Sequence, residues 1–312
     1  MATIATINGI DEDDISHHNG GVASLYTSKN GDTWGHWAFQ GSSYGYASGG
    51  ADSYNYIDKW AIASDGDATD VGDLTTGKGY CGGISSTTYG YNFGGNTNVI
   101  DKWPFASDAN AADVGDTLGT RDAPCGTHTV DWGYSLGAYA SVDNIEKISF
   151  TSDGNSVDQG NLTVGRGYLA SASSSTYGYA AGGHTPATDR IDKHAFANTN
   201  DATDVGNLVL GSQSNVAGSS STTYGYKHGG YPSTNSIEKW AFASDGDSTD
   251  VANLTQSIKA TAGVSSTSYG YRAGGGEPDV NTIDKYSYSS DADATDVGDL
   301  TQARRGCSGQ QY

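Results

Sequence analysis

The chain has 312 residues, 45 of them Gly and only 5 Pro, and a formal net charge of −20. That charge repels phosphates and argues against nucleic acid as a partner, and no run approaches the roughly 18 apolar residues of a spanning helix, so no membrane span is expected. Aliphatic residues are scarce, but 21 Tyr, 6 Trp and 6 Phe can build a core from rings that each bury roughly 150–250 Å².

Residues 1–41 stand outside the pattern that fills the rest of the chain and read as an N-terminal arm. Ile7-Asn8-Gly9-Ile10 is followed by the acidic run Asp11, Glu12, Asp13 and Asp14, and Asn-Gly recurs at Asn19-Gly20. The start lacks a basic segment followed by an apolar one, so no secretory signal is expected. Cys81, Cys125 and Cys307 are odd in number and far apart, which is not a disulfide framework. The expectation is a chain folded in a reducing cytoplasm, its thiols buried as small hydrophobes.

From residue 42 onward one unit repeats, the strongest signal a sequence can carry about architecture. Tyr-Gly-Tyr begins at Tyr44, Tyr89, Tyr177, Tyr224 and Tyr269, with Trp132-Gly133-Tyr134 in the remaining slot, at spacings of 45, 43, 45, 47 and 45. A glycine pair follows (Gly49-Gly50 in the first unit), then Ile, an acid and Lys: Ile57-Asp58-Lys59, Ile100-Asp101-Lys102, Ile145-Glu146-Lys147, Ile191-Asp192-Lys193, Ile237-Glu238-Lys239 and Ile283-Asp284-Lys285. An acidic turn closes each unit. Aromatic and β-branched alternation bounded by Gly, Asn and Asp predicts four short strands per unit, here a to d. Four strands per 40–50 residues, radially repeated, predicts an all-β, six-bladed β-propeller over residues 42–312. The glycine pairs are expected to let sheets approach closely near the axis.

The order Tyr-Gly-Tyr, Gly-Gly, Ile-Asp-Lys-Trp, Asp-Val-Gly-Asp-Leu-Thr, Arg-Gly resembles kelch-type propellers over roughly residues 42–312. Arg304-Arg305-Gly306-Cys307-Ser308 matches the strand-a pattern Lys78-Gly79-Tyr80-Cys81-Gly82. Residues 302–312 are therefore expected to supply strand a of blade one, with Trp34-Gly35-His36-Trp37-Ala38-Phe39 as the competitor for that place.

Three residue patterns bear on chemistry. Asp65, Asp67, Asp70 and Asp73 recur as Asp291, Asp293, Asp296 and Asp299, oxygen ligands of the kind Ca²⁺ takes; Asx-turn chemistry is the competing reading. The acid and Lys of strand c are expected to pair between blades in a ring of six. Strands that alternate in direction put the b–c and d–a connections on one face, and the b–c loops differ while the frame repeats. Their Tyr54, Tyr56, Tyr139, His184, Arg190, Tyr231 and Asp279 form a glycan-binding mixture, rings to stack on a sugar and polar groups to hold its hydroxyls. The His residues show no zinc spacing and no nucleophile or phosphate-loop motif is present, so no enzyme activity and no cofactor beyond Ca²⁺ is expected.

The arm, Ile-Asn-Gly with Ile-Ser-x-x-Asn-Gly, and the six-fold Ile-Asp-Lys-Trp-Ala-Phe unit resemble structural proteins of marine tailed phages. Departures lie in blade three (Trp132, Leu136, Ala138) and blade four (His194, and Ser212 where other blades have Arg or Lys). The resemblance implies a virion protein folded in the host cytoplasm. Its arm would dock on other virion proteins, and its propeller would be displayed as a fibre or host-recognition module for surface glycan, as a single chain or a homo-oligomer. A capsid decoration without a receptor role, a glycan-active propeller enzyme and a cellular protein-binding scaffold are the competing readings.

Overall fold

A computed structural model describes residues 40–312 and the backbone of two short strands, Thr6–Ile7 and Ile10–Asp11, which pair antiparallel. The chain divides into two compact units, 1–35 and 36–312. The competing strand at Trp34–Phe39 lies outside the described residues.

The described residues of the second unit form six four-stranded antiparallel sheets and no helix. From inner to outer strand, blade one is Ser308–Gln311, Tyr44–Ser48, Tyr56–Ala61 and Thr69–Asp73. Blade two is Cys81–Ser85, Tyr89–Gly94, Thr97–Pro104 and Ala112–Arg121; blade three is Cys125–His128, Trp132–Ala138, Val142–Ser149 and Val157–Asn161. Blade four is Ala170–Ser173, Tyr177–Ala181, Arg190–Ala195 and Thr203–Asn207; blade five is Ala217–Ser220, Tyr224–His228, Thr234–Ala241 and Thr249–Ile258; blade six is Ala262–Ser265, Tyr269–Ala273, Thr282–Ser287 and Thr295–Asp299. Each inner strand touches the inner strand of the next blade, blade six included, so the ring is closed. The chain's last strand is the inner strand of blade one. There the backbone oxygen of Tyr312 accepts the N–H groups of Ser42, Ser43 and Tyr44 at 2.7–2.9 Å.

The Tyr-Gly-Tyr motif has a packing cause. Its glycine faces a large side chain across the sheet: Gly45 opposite Trp60, Gly90 opposite Trp103, Gly225 opposite Trp240 and Gly270 opposite Tyr286. A Cβ at Gly45 would overlap the Trp60 ring. The second tyrosine is buried and reaches the next blade, with Tyr46 on Phe105, Tyr91 on Phe150, Tyr134 on Phe196, Tyr179 on Phe242 and Tyr226 on Tyr288, all stacked at 4.8–5.0 Å. Tyr271 instead donates to the Ile62 carbonyl. The core is thus a set of aromatic contacts between blades, which explains how a chain poor in leucine buries enough surface.

The glycines at the axis are not the predicted pairs. The pairs end strand b in a turn where Gly49 has φ +70° and its Cβ would press on the Lys78 carbonyl. Strand a supplies the crowded ring, with Gly83, Gly126, Gly218, Gly263 and Gly309, and Ser171 in the sixth place. A Cβ at Gly309 would overlap the Gly263 carbonyl.

Two hydrogen-bonded chains of residues run around the axis, one at each end. At the d–a end, Tyr80 N–H donates to Gly306, Ala123 to Tyr80, Tyr168 to Ala123, Ala260 to Asn215 and Gly306 to Ala260. All six of these residues have φ between +53° and +66°. At the opposite end, the His128 N–H donates to Ser173 Oγ, Ser173 to Ser220, Ser220 to Ser265, Ser265 to Gln311 Oε1 and Gln311 to Ser85. Gln40 and Gly41 join the propeller at this second end: Gln40 Nε2 donates to the Ser220 carbonyl and Gly41 N–H to that of Ser265.

The strand-c acids and lysines do not pair with each other as predicted. The lysines reach the c–d turn of the next blade: Lys59 to Asp108, Lys102 to Asp153, Lys193 to Asp245, Lys239 to Asp291 and Lys285 to Asp65. The step from blade three to blade four has no such pair, because Thr199 stands where the other blades have aspartate. The acids point the other way and are buried. Asp58 binds Arg304, Asp101 binds Lys78, Glu146 binds Arg121 and Asp192 binds Arg166, each cation coming from the d–a segment that leads into the blade. The d–a positions equivalent to those cations are Gln213 in blade five and Ile258 in blade six. Ser212, the residue expected there from the sequence, is one residue off. In those two blades the cation moves to strand b, as Lys227 and Arg272.

Candidate functional site

The b–c loops and d–a segments share one face, opposite the end where Gln40 and Gly41 enter. There the Ser53–Tyr54 loop lies over the Gly77–Lys78 segment, and Lys78 N–H donates to the Tyr54 carbonyl. The b–c loop residues singled out from the sequence do not form one constellation on this face. Tyr54 and Tyr56 have ring centres 5.8 Å apart in blade one. Tyr139 is 41% exposed and meets Tyr168 edge-on at 5.8 Å. His184 Nδ1 lies 2.7 Å from Thr185 Oγ1, and Arg190 is tied to Asp204 at 3.1 Å. Tyr231, 51% exposed, carries the Lys259 ammonium 4.5 Å above its ring, and Lys259 also pairs with Glu277.

Asp279 is different. Both of its carboxylate oxygens accept from Arg305 Nη1, at 2.8 and 3.0 Å, and Arg305 Nε donates to the Tyr80 hydroxyl at 3.3 Å. Those bonds, to Asp279 first, hold the Arg305 guanidinium above its usual pKa. Asp52 lies 3.8 Å from the same guanidinium. Tyr80 then meets Tyr168 edge-on at 5.5 Å, so Tyr80, Tyr168 and Tyr139 form an aromatic chain beside the axis. Burial, then Asp122 and the two neighbouring tyrosines, push the Tyr168 phenol up to about 12.

Two depressions share Tyr80. One is the mouth of the axis, a funnel of about 100 Å³ bounded by Tyr80, Tyr168, Asn215, Ala260 and the strand-a glycines. The other is a cleft of about 470 Å³ between the loops of blades one and two. Tyr80, Tyr168, Asn96 and Arg305 were not singled out from the sequence. The available signal was the residue at the Tyr80 place in each d–a segment, which varies as Tyr80, Ala123, Tyr168, Asn215, Ala260 and Gly306 inside a repeating frame.

The acidic turns are taken up by contacts between blades. Asp65 and Asp291 hold lysines of the preceding blades; Asp67 and Asp293 accept the backbone N–H groups of Asp299 and Asn253. Asp70 and Asp296 accept the N–H two residues on, in Asx turns. Asp73 and Asp299 end their outer strands, and Asp73 N–H donates to Asn110. Among the described residues no three His, Cys, Asp or Glu side chains converge as a metal set, and no helix is long and apolar enough to cross a membrane.

Burial keeps the three free thiols and two of the imidazoles neutral. Burial pushes the Cys125 thiol to about 12 and Cys307 to about 11, and raises Cys81 as well; a protonated thiol is a poor nucleophile. Burial holds the imidazoles of His194 and His228 down to about 3. The geometry on the loop face, aromatic edges with fixed polar groups, suits reversible binding of a small polar ligand. No protein-family model matches this chain, and no curated protein matches it.

Proposed function

We propose that this chain is a non-enzymatic display protein of a virus particle, attached through residues 1–41 and presenting its loop face to a glycan on the host surface. The observation that carries the reading is the opposition of the two ends of the axis. Gln40 and Gly41, where the chain from the arm joins the propeller, are bound to Ser220 and Ser265 at one end. The variable loops, with Tyr80, Tyr139, Tyr168 and Tyr231, stand at the other. A rigid ring between attachment point and loops is what presentation requires. The resemblance of the arm and repeat to phage structural proteins gives the setting.

The test is particle association. The full chain should co-sediment with particles assembled in its presence, and a chain lacking residues 1–39 should keep the cooperative melt of six complete blades yet stay in the supernatant. Association that survives the deletion would overturn the anchoring role. Association without glycan binding would favour decoration alone.

A further inference from the structure

The cleft between blades one and two has a local cause. Blade two turns from strand b to strand c through Gly95 and Asn96 alone, both with φ near +70°, a two-residue hairpin of the I′ kind. The blade-one loop is longer, from Gly49 to Asn55. The short turn leaves the flank of the long loop uncovered, and the gap is the cleft of about 470 Å³. That falls within the roughly 300–1,000 Å³ of small-molecule sites, whereas the axial funnel does not.

Its lining has a definite chemistry. The side chains of Ser53, Thr76 and Asn96 make no hydrogen bond within the described residues and border the cleft together with Asp52, Tyr80 and Arg305. They supply hydroxyl and amide groups that both donate and accept. Tyr80 gives one apolar wall, held by Arg305 at its hydroxyl and by Tyr168 at its ring. Of the two cations that line the cleft, Lys78 is buried against Asp101, and Arg305 is already bound by Asp279 and approached by Asp52. Two carboxylates therefore face one engaged guanidinium, in a chain of net charge −20, and an anionic ligand would meet repulsion with no free cation to offset it.

From this we infer that the cleft between blades one and two is a saccharide site for a neutral hexose or N-acetylhexosamine unit of a glycan chain. The C–H face of the sugar would rest against Tyr80 and its hydroxyls would bond Asp52, Ser53, Thr76 and Asn96. The inference rests on the display reading for its biological setting, but the site itself is argued from its lining.

Backbone geometry makes the site testable without risk to the fold. Tyr80 has φ +54° and Asn96 φ +67°, a region where glycine is at ease, so Tyr80→Gly and Asn96→Gly remove the side chains without adding backbone strain. Immobilised neutral glycans, alongside sialylated, uronic and sulfated ones, are probed with the full chain and each variant, and thermal melts confirm folding. Expected is binding to neutral glycans that each variant weakens about tenfold, unchanged by Val157→Ala on an outer strand. Binding confined to acidic glycans would overturn the inference, as would no glycan binding at all. Binding that survives both cleft variants but falls with Tyr139→Ala would overturn the cleft and leave glycan recognition standing. Particle association is read separately, so failure of the site and failure of the display reading give different results.

Discussion

The Lys227 ammonium lies 3.0 Å from the Glu238 carboxylate, and both side chains are wholly buried. The two residues face each other across strands b and c. The place of Lys227 is held by Ala47, Asn92, Ser135 and Ala180 in the blades whose cation comes from the d–a segment, and by Arg272 in blade six. Every blade thus neutralises its buried acid, from one of two directions. An uncompensated buried carboxylate is costly wherever it sits, so what repeats is the neutralisation and not the chain position of the cation.

This arrangement predicts a transplant. Lys227→Ala should destabilise the protein by about 3–5 kcal/mol, since it strands Glu238. Adding Gln213→Arg, which restores the cation from the d–a side, should recover most of the loss. Urea denaturation monitored by Trp fluorescence measures both. A double variant no more stable than the single one would refute the equivalence of the two positions.

Acid sensitivity follows from His194 and His228. Their imidazoles sit near 3 in the fold, held there by burial, against an ordinary value of about 6.5. Above that ordinary value both states bind no proton and nothing is lost. As pH falls from about 6.5 toward 3, the unfolded chain gains protons that the folded chain refuses, and stability falls by on the order of a few kcal/mol per histidine. His194→Trp, the residue at this place in blades one, two and five, should flatten that limb in a series of melts from pH 7 to pH 4. An unchanged slope would show that other groups set it.

The broken ring of surface pairs gives a third outcome. Lys147 lies 4.0 Å over the Trp132 ring with no aspartate from blade four, and burial lowers its pKa. Thr199→Asp should complete the ring and add about 0.2–1 kcal/mol, the scale of a partly exposed pair. Differential scanning calorimetry should register the gain at low ionic strength and lose most of it in high salt. A lower Tm in the variant would mean that added negative charge outweighs the pair.

Calcium provides a fourth. Asp65, Asp67, Asp291 and Asp293 already hold lysines or backbone N–H groups. Calcium and magnesium chlorides at equal ionic strength should therefore leave the same Tm. A rise specific to calcium and reversed by chelator would make the acidic turns metal sites.

The number of blades was legible because each unit carries its own local signals: an aromatic-Gly-Tyr core, an Ile-acid-Lys strand c and an acidic turn. The use of residues 308–311 as an inner strand was legible too, since Arg304 to Ser308 repeat the pattern at Lys78 to Gly82. The source of the cation was only half legible. At a constant distance before the aromatic-Gly-Tyr start stand Lys78, Arg121 and Arg166 but also Gln213 and Ile258. The gap was therefore in the sequence, whereas its filling from strand b by Lys227 and Arg272 was not. The site was half legible: Asp279 was in view, whereas Tyr80 and Arg305 lay in segments that looked like frame.

Taken alone, the order of residues determined what each sheet is made of and how many there are, because strand alternation and turn chemistry act over a few neighbours along the chain. Which carboxylate meets which cation, which glycines crowd the axis and where a gap opens beside Tyr80 depended on contacts between sheets tens to hundreds of residues apart. Those were decided only when the ring closed, because pairing across blades is set by which faces touch and a one-residue change of register brings a different side chain to the same point in space.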